Sequence, residues 1–273
     1  MIPATFEYRE AGSAEEAIVL LGEFGDDAKL MAGGHSLLPL MKLRLASPAV
    51  LIDLGRIRDM SYVNDAGDHL AIGALTRHRD IEVSGLVKAE APLLALVAGQ
   101  VGDPQVRHRG TLGGSIAHGD PASDLPAAAL ALGATMVARG PNGARQIAAE
   151  DFFTGFLETA LAADEVLTEI RIPKQGGAGW GWQKFTRRAA DWAIVGVAAV
   201  RNGTTRVALV NMDSRPVRAH ATEEAIASGA SPADAARRAA EGLAPPSDLN
   251  GDAAYRSHLA GVLVGRALSS AGA

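Results

Sequence analysis

The first third of the chain alternates amphipathic segments with short apolar ones, and this alternation predicts helices and strands in turn. Ser13-Ala14-Glu15-Glu16 has the pattern of a capping box, so we predict a helix near residues 13–24. Ala28–Ala32 and Val50–Leu54 are apolar runs of strand length. Between them, Ser36–Arg44 carries apolar residues at a spacing that would bury one helix face.

Helix and strand patterns are mixed in the second third of the chain. We predict one long apolar helix over Ala89–Gln100 and a linker over Lys174–Gly179, where glycines follow Pro173. The other predicted elements are a strand at His69–Gly73, a short helix at Thr76–Ile81, a helix at Ser123–Leu132, and strands at 135–139 and 165–172.

In the last third the predicted strands precede the helices, a pattern typical of a small α+β domain. Asn202-Gly203 predicts a tight hairpin turn between two of the strands. The predicted strands are 180–186, 193–201 and 206–212, and the predicted helices lie near 219–228, 232–241 and 253–268.

These patterns divide the chain after residue 173. We predict a first domain of residues 1–173 and a C-terminal domain of residues 174–273. The change of pattern near residue 56 splits the first domain into subdomains of about 1–55 and 56–173.

Two similar glycine motifs carry the candidate chemistry. They are Ala32-Gly33-Gly34-His35-Ser36 and Thr111-Leu112-Gly113-Gly114-Ser115. Glycine tolerates positive φ and has no Cβ, so backbone amides in such a loop can close around an anion. Two of them predict a ligand with more than one phosphate, and the helix predicted after Ser36 would favour a phosphate at its N-terminus. The alternative is an ordinary strand–turn–helix joint without a ligand.

Asp124 follows the second motif within Asp120-Pro121-Ala122-Ser123-Asp124. Its carboxylate suits two vicinal hydroxyls of a ribose or ribityl chain, and its alternative role is a helix N-cap. Neither glycine motif has the spacing of a dinucleotide-binding fingerprint or of a Walker loop.

Composition removes several classes of function. The net charge of −5 argues against a nucleic-acid partner. The chain has no cysteine, which excludes disulfides and Cys-ligated iron–sulfur or zinc sites on this chain. We see no metal-ligand spacing of His, Asp and Glu, no apolar run of membrane-spanning length and no export signal, so the cytoplasm is the predicted location.

Together these motifs resemble the FAD-binding subunits of molybdenum hydroxylases, the xanthine dehydrogenase family. The chain is similar to the medium subunit of carbon monoxide dehydrogenase over nearly its whole length. The resemblance rests on the two glycine motifs, on the segment 120–124, and on Phe152–Gly155, Glu165–Pro173 and Lys184–Ala193.

This resemblance implies an α+β fold. A two-subdomain FAD-binding domain of the vanillyl-alcohol-oxidase or PCMH type would precede a small C-terminal α+β domain, which has a three-stranded antiparallel sheet with helices. The implied cofactor is noncovalent FAD, and the implied activity is that of an oxidoreductase subunit with no catalytic residue of its own.

The resemblance also implies roles for individual residues. The two glycine motifs would hold the FAD pyrophosphate with backbone amides and hydroxyls, and Asp124 would bind the ribose or ribityl hydroxyls. Leu167, near the end of its strand, would pack on the flavin or the adenine. Trp192 would lie against the isoalloxazine ring or in a hairpin core, and Lys184 would lie near the flavin pyrimidine or in solvent. The expected cofactor-binding residues are Ala32, Gly33, Gly34, His35, Ser36, Leu37, Thr111, Gly113, Gly114, Ser115, Asp124, Leu167, Lys184 and Trp192.

The family implies electron transfer as the function. A small partner chain with [2Fe-2S] clusters would pass electrons to FAD on this chain, and FAD would pass them to an external acceptor. The molybdenum cofactor would lie on a large partner chain, within a dimer of heterotrimers. Two alternatives are a stand-alone FAD-dependent oxidoreductase of the same fold superfamily and a non-catalytic nucleotide-binding or assembly protein.

Overall fold

The structure, a computed structural model, describes residues 2–272. Within these residues the chain forms a three-stranded parallel sheet, a five-stranded antiparallel sheet, a four-stranded antiparallel sheet and a two-stranded hairpin. This combination of mainly antiparallel sheets with helices is the α+β class that the family resemblance implied.

The first sheet has β3 at its centre, with β1 and β2 paired parallel to it on either side. The predicted Ser13 cap of the first helix is confirmed, because the Glu16 amide donates to Ser13 Oγ at 3.1 Å. The reciprocal bond is displaced by one residue from that of a capping box, since Glu16 Oε2 accepts from the Gly12 amide at 2.7 Å. The elements of this unit are β1 Glu7–Glu10, α1 Ala14–Phe24, β2 Ala28–Met31, α2 Leu37–Lys42 and β3 Val50–Asp53.

The second unit is built on an antiparallel sheet. The strand order is β4-β5-β10-β6-β7, which places β10 at the centre. Its elements are β4 Val63–Asp65, β5 His69–Gly73, α3 His78–Val83, α4 Gly85–Glu90, α5 Pro92–Gly99, α6 Pro104–Arg107, α7 Leu112–His118, α8 Asp124–Leu132, β6 Thr135–Gly140, β7 Gly143–Ala148, α9 Ala149–Phe152, β8 Phe153–Gly155, β9 Glu158–Thr159 and β10 Val166–Pro173.

The prediction of one long helix over Ala89–Gln100 is wrong. The chain forms α4 and α5 instead, and they meet at Ala91. Proline disfavours helical backbone at the residue before it, and its fixed φ suits the first turn of a new helix, so Pro92 begins α5.

The third unit is an antiparallel sheet in sequential strand order, covered by helices. The three predicted strands are present, and a short fourth strand, β14, pairs with β13. The elements are β11 Gly179–Phe185, β12 Val195–Asn202, β13 Thr204–Val210, β14 Val217–Arg218, α10 His220–Ala227, α11 Pro232–Ala236 and α12 Ala253–Ser270.

One hydrophobic core joins the second and third units. All nine residues of α8 are buried, and the helix packs on α5 and on β12 and β13. Trp182 and Ala198 of the third sheet belong to the same buried cluster as Leu125 and Leu130 of α8. Among the described residues, no helix combines the length and apolar character needed to cross a bilayer.

Candidate functional site: a cavity shared by the three units

A cavity of about 1090 Å³ lies where the three units meet. This exceeds the 300–1,000 Å³ typical of pockets for drug-sized ligands, so it can take a ligand the size of a dinucleotide. All fourteen cofactor-binding residues predicted from the sequence line this cavity: Ala32, Gly33, Gly34, His35, Ser36, Leu37, Thr111, Gly113, Gly114, Ser115, Asp124, Leu167, Lys184 and Trp192.

The first glycine motif forms the turn between β2 and α2. Gly34 has a φ of +75°, a conformation that favours glycine. The four consecutive amides from Gly33 to Ser36 donate to no acceptor within residues 2–272. Successive free amides in a turn form an anion-binding concavity, so this loop can hold a phosphate.

The first glycine motif packs at Gly33 against the residues that precede the second motif. A Cβ on Gly33 would overlap the carbonyl oxygen of Arg109, just before the second motif. The Arg77 guanidinium donates a hydrogen bond to that same carbonyl. Glycine is therefore needed at position 33 because the backbone at Arg109 lies too close for a side chain.

The second motif is a helix, and its prediction as a loop is wrong. Thr111 caps α7, because its Oγ1 accepts from the Gly114 amide at 3.1 Å. The Gly113 amide donates to the Ala74 carbonyl at 2.8 Å, and the Ser115 amide to the Thr111 carbonyl at 3.0 Å. Since these amides already have acceptors, the second motif faces the cavity with the Ser115 hydroxyl and its helix surface.

Asp124 and Lys184 form a buried ion pair in the cavity wall. Lys184 Nζ lies 2.6 Å from Asp124 Oδ2 and also donates to the Gln100 carbonyl at 3.0 Å. The Lys184 side chain is 9% exposed and the Asp124 side chain is 6% exposed. Asp124 Oδ1 is buried without a hydrogen-bond partner in the described chain. The pair rules out a solvated Lys184, and it leaves one carboxylate oxygen available for a ligand.

Burial raises the pKa of Asp124 to about 6, and Lys184 opposes this rise by favouring the charged carboxylate. Asp124 is the first residue of α8, and Ser123 occupies the N-cap position without a side-chain hydrogen bond. The alternative role of Asp124 as the capping residue is therefore wrong.

Trp192 lies in the segment between β11 and β12 and is 61% exposed. Its alternative placement in a hairpin core is wrong, and Trp182 occupies the core position, with its Nε1 donating to Gln100 Oε1 at 2.9 Å. Leu167 is the second residue of β10, so it lies near the start of its strand and beside a register shift between Leu167 and Glu169. Both residues still face the cavity.

The cavity wall also contains a histidine that the sequence did not single out. His78 is 4% exposed, and its Nδ1 has no partner among the described residues. Burial and the nearby Arg77 lower the pKa of His78 to about 4, so its imidazole is neutral at pH 7. Burial likewise lowers the pKa values of His35 and His118, which line the same cavity.

These features fit FAD better than a metal ion. The cavity combines an amide concavity for phosphate, an unpaired carboxylate oxygen for hydroxyls, and an exposed aromatic side chain for a flat ring. Residues 2–272 contain no group of three or more His, Asp or Glu placed to hold a metal ion.

Comparison with known families matches the chain in two parts. The family model for the "FAD binding domain in molybdopterin dehydrogenase" matches residues 4–175. The family model for the "CO dehydrogenase flavoprotein C-terminal domain" matches residues 180–271.

Curated relatives and solved structures match the chain over its full length. The chain is 44% identical to the carbon monoxide dehydrogenase medium chain of Hydrogenophaga pseudoflava, covering 99% of this chain and 98% of the relative. It is 38% identical to the nicotine 6-hydroxylase medium subunit of Paenarthrobacter nicotinovorans, with coverage of 100% and 99%. A carbon monoxide dehydrogenase structure from H. pseudoflava superposes with a TM-score of 0.95 at 46% identity, covering 100% of this chain and 99% of the other.

Proposed function

Because this chain belongs to the family of FAD-binding medium subunits of the molybdenum hydroxylases, we propose that its shared cavity holds FAD through the residues predicted from the sequence. The chain is the FAD-carrying subunit of an oxidoreductase of this family. The observation that carries the assignment of the site is that both glycine motifs, Asp124, Lys184 and Trp192 line one cavity.

In this proposal the first glycine loop binds the FAD pyrophosphate. The free amides from Gly33 to Ser36 supply the donors, and the Ser115 hydroxyl adds a donor from the helix opposite. Asp124 Oδ1 accepts a hydrogen bond from a ribose or ribityl hydroxyl, and Lys184 keeps the carboxylate charged. Leu167 and Trp192 supply apolar contacts to the flat rings. The cofactor is bound without a covalent link.

FAD accepts one or two electrons and so joins one-electron carriers to two-electron chemistry. The residues of this chain bind and orient it and exclude water from it. We propose that the electrons come from [2Fe-2S] clusters on a small partner chain, because this chain has no cysteine to ligate a cluster. A large partner chain would carry the molybdenum cofactor and the substrate site.

The assembly proposed is a dimer of heterotrimers, and the location proposed is the cytoplasm. Relatives of this chain are subunits of complexes whose names refer to different substrates, carbon monoxide, nicotine and caffeine among them. This variety supports the proposal that substrate choice lies on another chain. The boundary between the two domains is proposed at residue 173, since the sheets lie on either side of it.

Affinity purification of the tagged full-length chain from its native host tests this function. We expect a small and a large partner chain to copurify, and the eluate to contain flavin, iron and molybdenum. The same chain carrying Gly33→Val serves as the control, since it should lower the flavin content. Recovery of the chain alone, without flavin after incubation with FAD, would contradict the proposal.

A further inference from the structure

Asn211, the residue that follows β13, joins three segments beside the cavity. Its amide donates to the Pro121 carbonyl at 2.7 Å, and its side-chain Nδ2 donates to the Ala193 carbonyl at 3.0 Å. Its φ is +62°, a conformation that few residues other than glycine adopt without strain. Asparagine is among those that tolerate it best, so the residue suits this backbone and supplies a donor as well.

Both carbonyls belong to segments that carry cavity residues. Pro121 lies three positions before Asp124, and Ala193 directly follows Trp192. One residue from the third unit therefore contacts the segment leading to the buried carboxylate and the segment carrying the exposed indole. The hydrogen bond to Ala193 also satisfies a buried carbonyl, because Ala193 is 2% exposed and Asn211 supplies a donor to it.

The segment 186–193 has two long hydrogen bonds of its own, from the Asp191 amide to the Arg188 carbonyl at 3.3 Å and from Arg187 Nη1 to Asn250 Oδ1 at 3.5 Å. The two residues that flank the segment are joined by a hydrogen bond, because the Ile194 amide donates to the Phe185 carbonyl at 2.8 Å. Arg256 in turn donates to the Ile194 carbonyl. Within the described chain, the Trp192 side chain makes no hydrogen bond. Its position therefore depends on the backbone on either side of it, and at Ala193 that backbone is held by the shorter bond from Asn211.

We propose that Asn211 is a positioning residue that fixes Trp192 relative to the Asp124–Lys184 wall of the cavity. The inference rests on the proposed function in one respect, the placement of Trp192 against the flavin. Asn211 is not among the residues that line the cavity, and it acts through the backbone at Ala193 and Pro121.

Hydrogen exchange of the full-length chain without added FAD tests the positioning directly. Asn211→Gly retains the positive φ and the backbone donor to Pro121, and removes only the side-chain bond to Ala193. We expect amide exchange in residues 186–194 to rise about five-fold, the effect of one typical hydrogen bond. Exchange in α8 should stay unchanged.

Two further variants make the result specific. Asn211→Asp keeps the shape and replaces the donor by an acceptor, so it should raise exchange in 186–194 at least as much. Arg215→Ala is the matched control, because Arg215 Nη1 donates to the Phe153 carbonyl at 2.8 Å from the same connection but does not reach segment 186–193. Unchanged exchange in both Asn211 variants, or an equal rise with Arg215→Ala, would overturn the proposal.

The flavin link is measured separately on the purified complex. With FAD bound, Asn211→Gly should shift the flavin fluorescence and reduction potential in the same direction as Trp192→Ala. In the double variant, Asn211→Gly should add little to the effect of Trp192→Ala. Faster exchange with an unaltered flavin would overturn the link to Trp192. Failure of every variant and of the wild type to bind FAD would instead count against the proposed function.

Discussion

Replacing Lys184 with Met should destabilise the protein in a way that depends on pH. Met keeps the length and apolar stem of Lys184 and removes only the ammonium group that lies 2.6 Å from Asp124 Oδ2. Asp124 is then left in a site where it is 6% exposed, with one oxygen already unpaired. Removing one partner of a buried ion pair typically costs about 3–5 kcal/mol, because the other charge stays buried without compensation.

The direction of this pH dependence follows from the pKa of Asp124. Burial raises it from 3.8 to about 6, so between these values the native state binds more protons than the unfolded state and the free energy of unfolding falls as pH rises. Lys184 lowers the pKa of Asp124. Without Lys184 that pKa is higher, so the free energy of unfolding continues to fall above pH 6. The loss of unfolding free energy in Lys184→Met should therefore be small at pH 5, where Asp124 is protonated in both proteins. It should be near its full size at pH 8.

Thermal unfolding at pH 5 and pH 8 measures this effect. At pH 8 we expect the Tm of Lys184→Met to lie about 10 °C below wild type, from about 2–4 °C per kcal/mol for a chain of this size class. Asp124→Asn should restore most of the loss when added to Lys184→Met. Lys174→Met is the matched control, because Lys174 lies 2.7 Å from Asp65 Oδ1 in a more exposed pair, whose removal should cost less than about 1 kcal/mol. Equal losses at both pH values, or a loss no larger than that of the control, would refute the reasoning.

Three more variants probe the cavity. Gly33→Val should lower FAD affinity at least about ten-fold, because its Cβ would push the Arg109 carbonyl away; flavin titration showing wild-type affinity would contradict this. Thr111→Val removes the cap on the Gly114 amide and should cost about 1 kcal/mol in chemical denaturation, whereas Thr111→Ser should cost less. Trp192→Ala should change the flavin fluorescence or potential more than the affinity, and an unaltered spectrum and potential would remove Trp192 from the flavin's surroundings.

Local sequence patterns predicted most elements because their causes are local. The first helix begins at a Ser13 cap whose pattern lies within four consecutive residues, and the strand at His69–Gly73 is an apolar run between turn residues. The break between α4 and α5 has a local cause too, because Pro92 interrupts an apolar periodicity that continues on both sides of it.

The helix over the second glycine motif could not be predicted in this way. Two adjacent glycines disfavour a helix by local propensity. α7 forms because Thr111 caps it and because the Ala74 carbonyl, almost forty positions earlier, accepts from the Gly113 amide. Tertiary contacts here override the local preference, and a single sequence does not show them.

The residues of the candidate site were predicted, but most of their interactions were not. The motifs and the family resemblance named Asp124 and Lys184, yet nothing in either segment shows that two residues sixty positions apart form an ion pair. The same holds for the contact of Gly33 with the Arg109 carbonyl and for His78, whose importance comes only from its burial beside the cavity.

The complete burial of α8 bears on the order in which the protein becomes functional during synthesis. This helix packs on β12 and β13, and Lys184 and Trp192 are also translated long after the first glycine motif. A nascent chain that has emerged only to residue 173 therefore exposes an apolar helix and has an incomplete cavity. The cavity has all its lining residues only once Trp192 has been translated, and α8 stays an uncovered hydrophobic surface until β13, which ends at Val210, has also emerged.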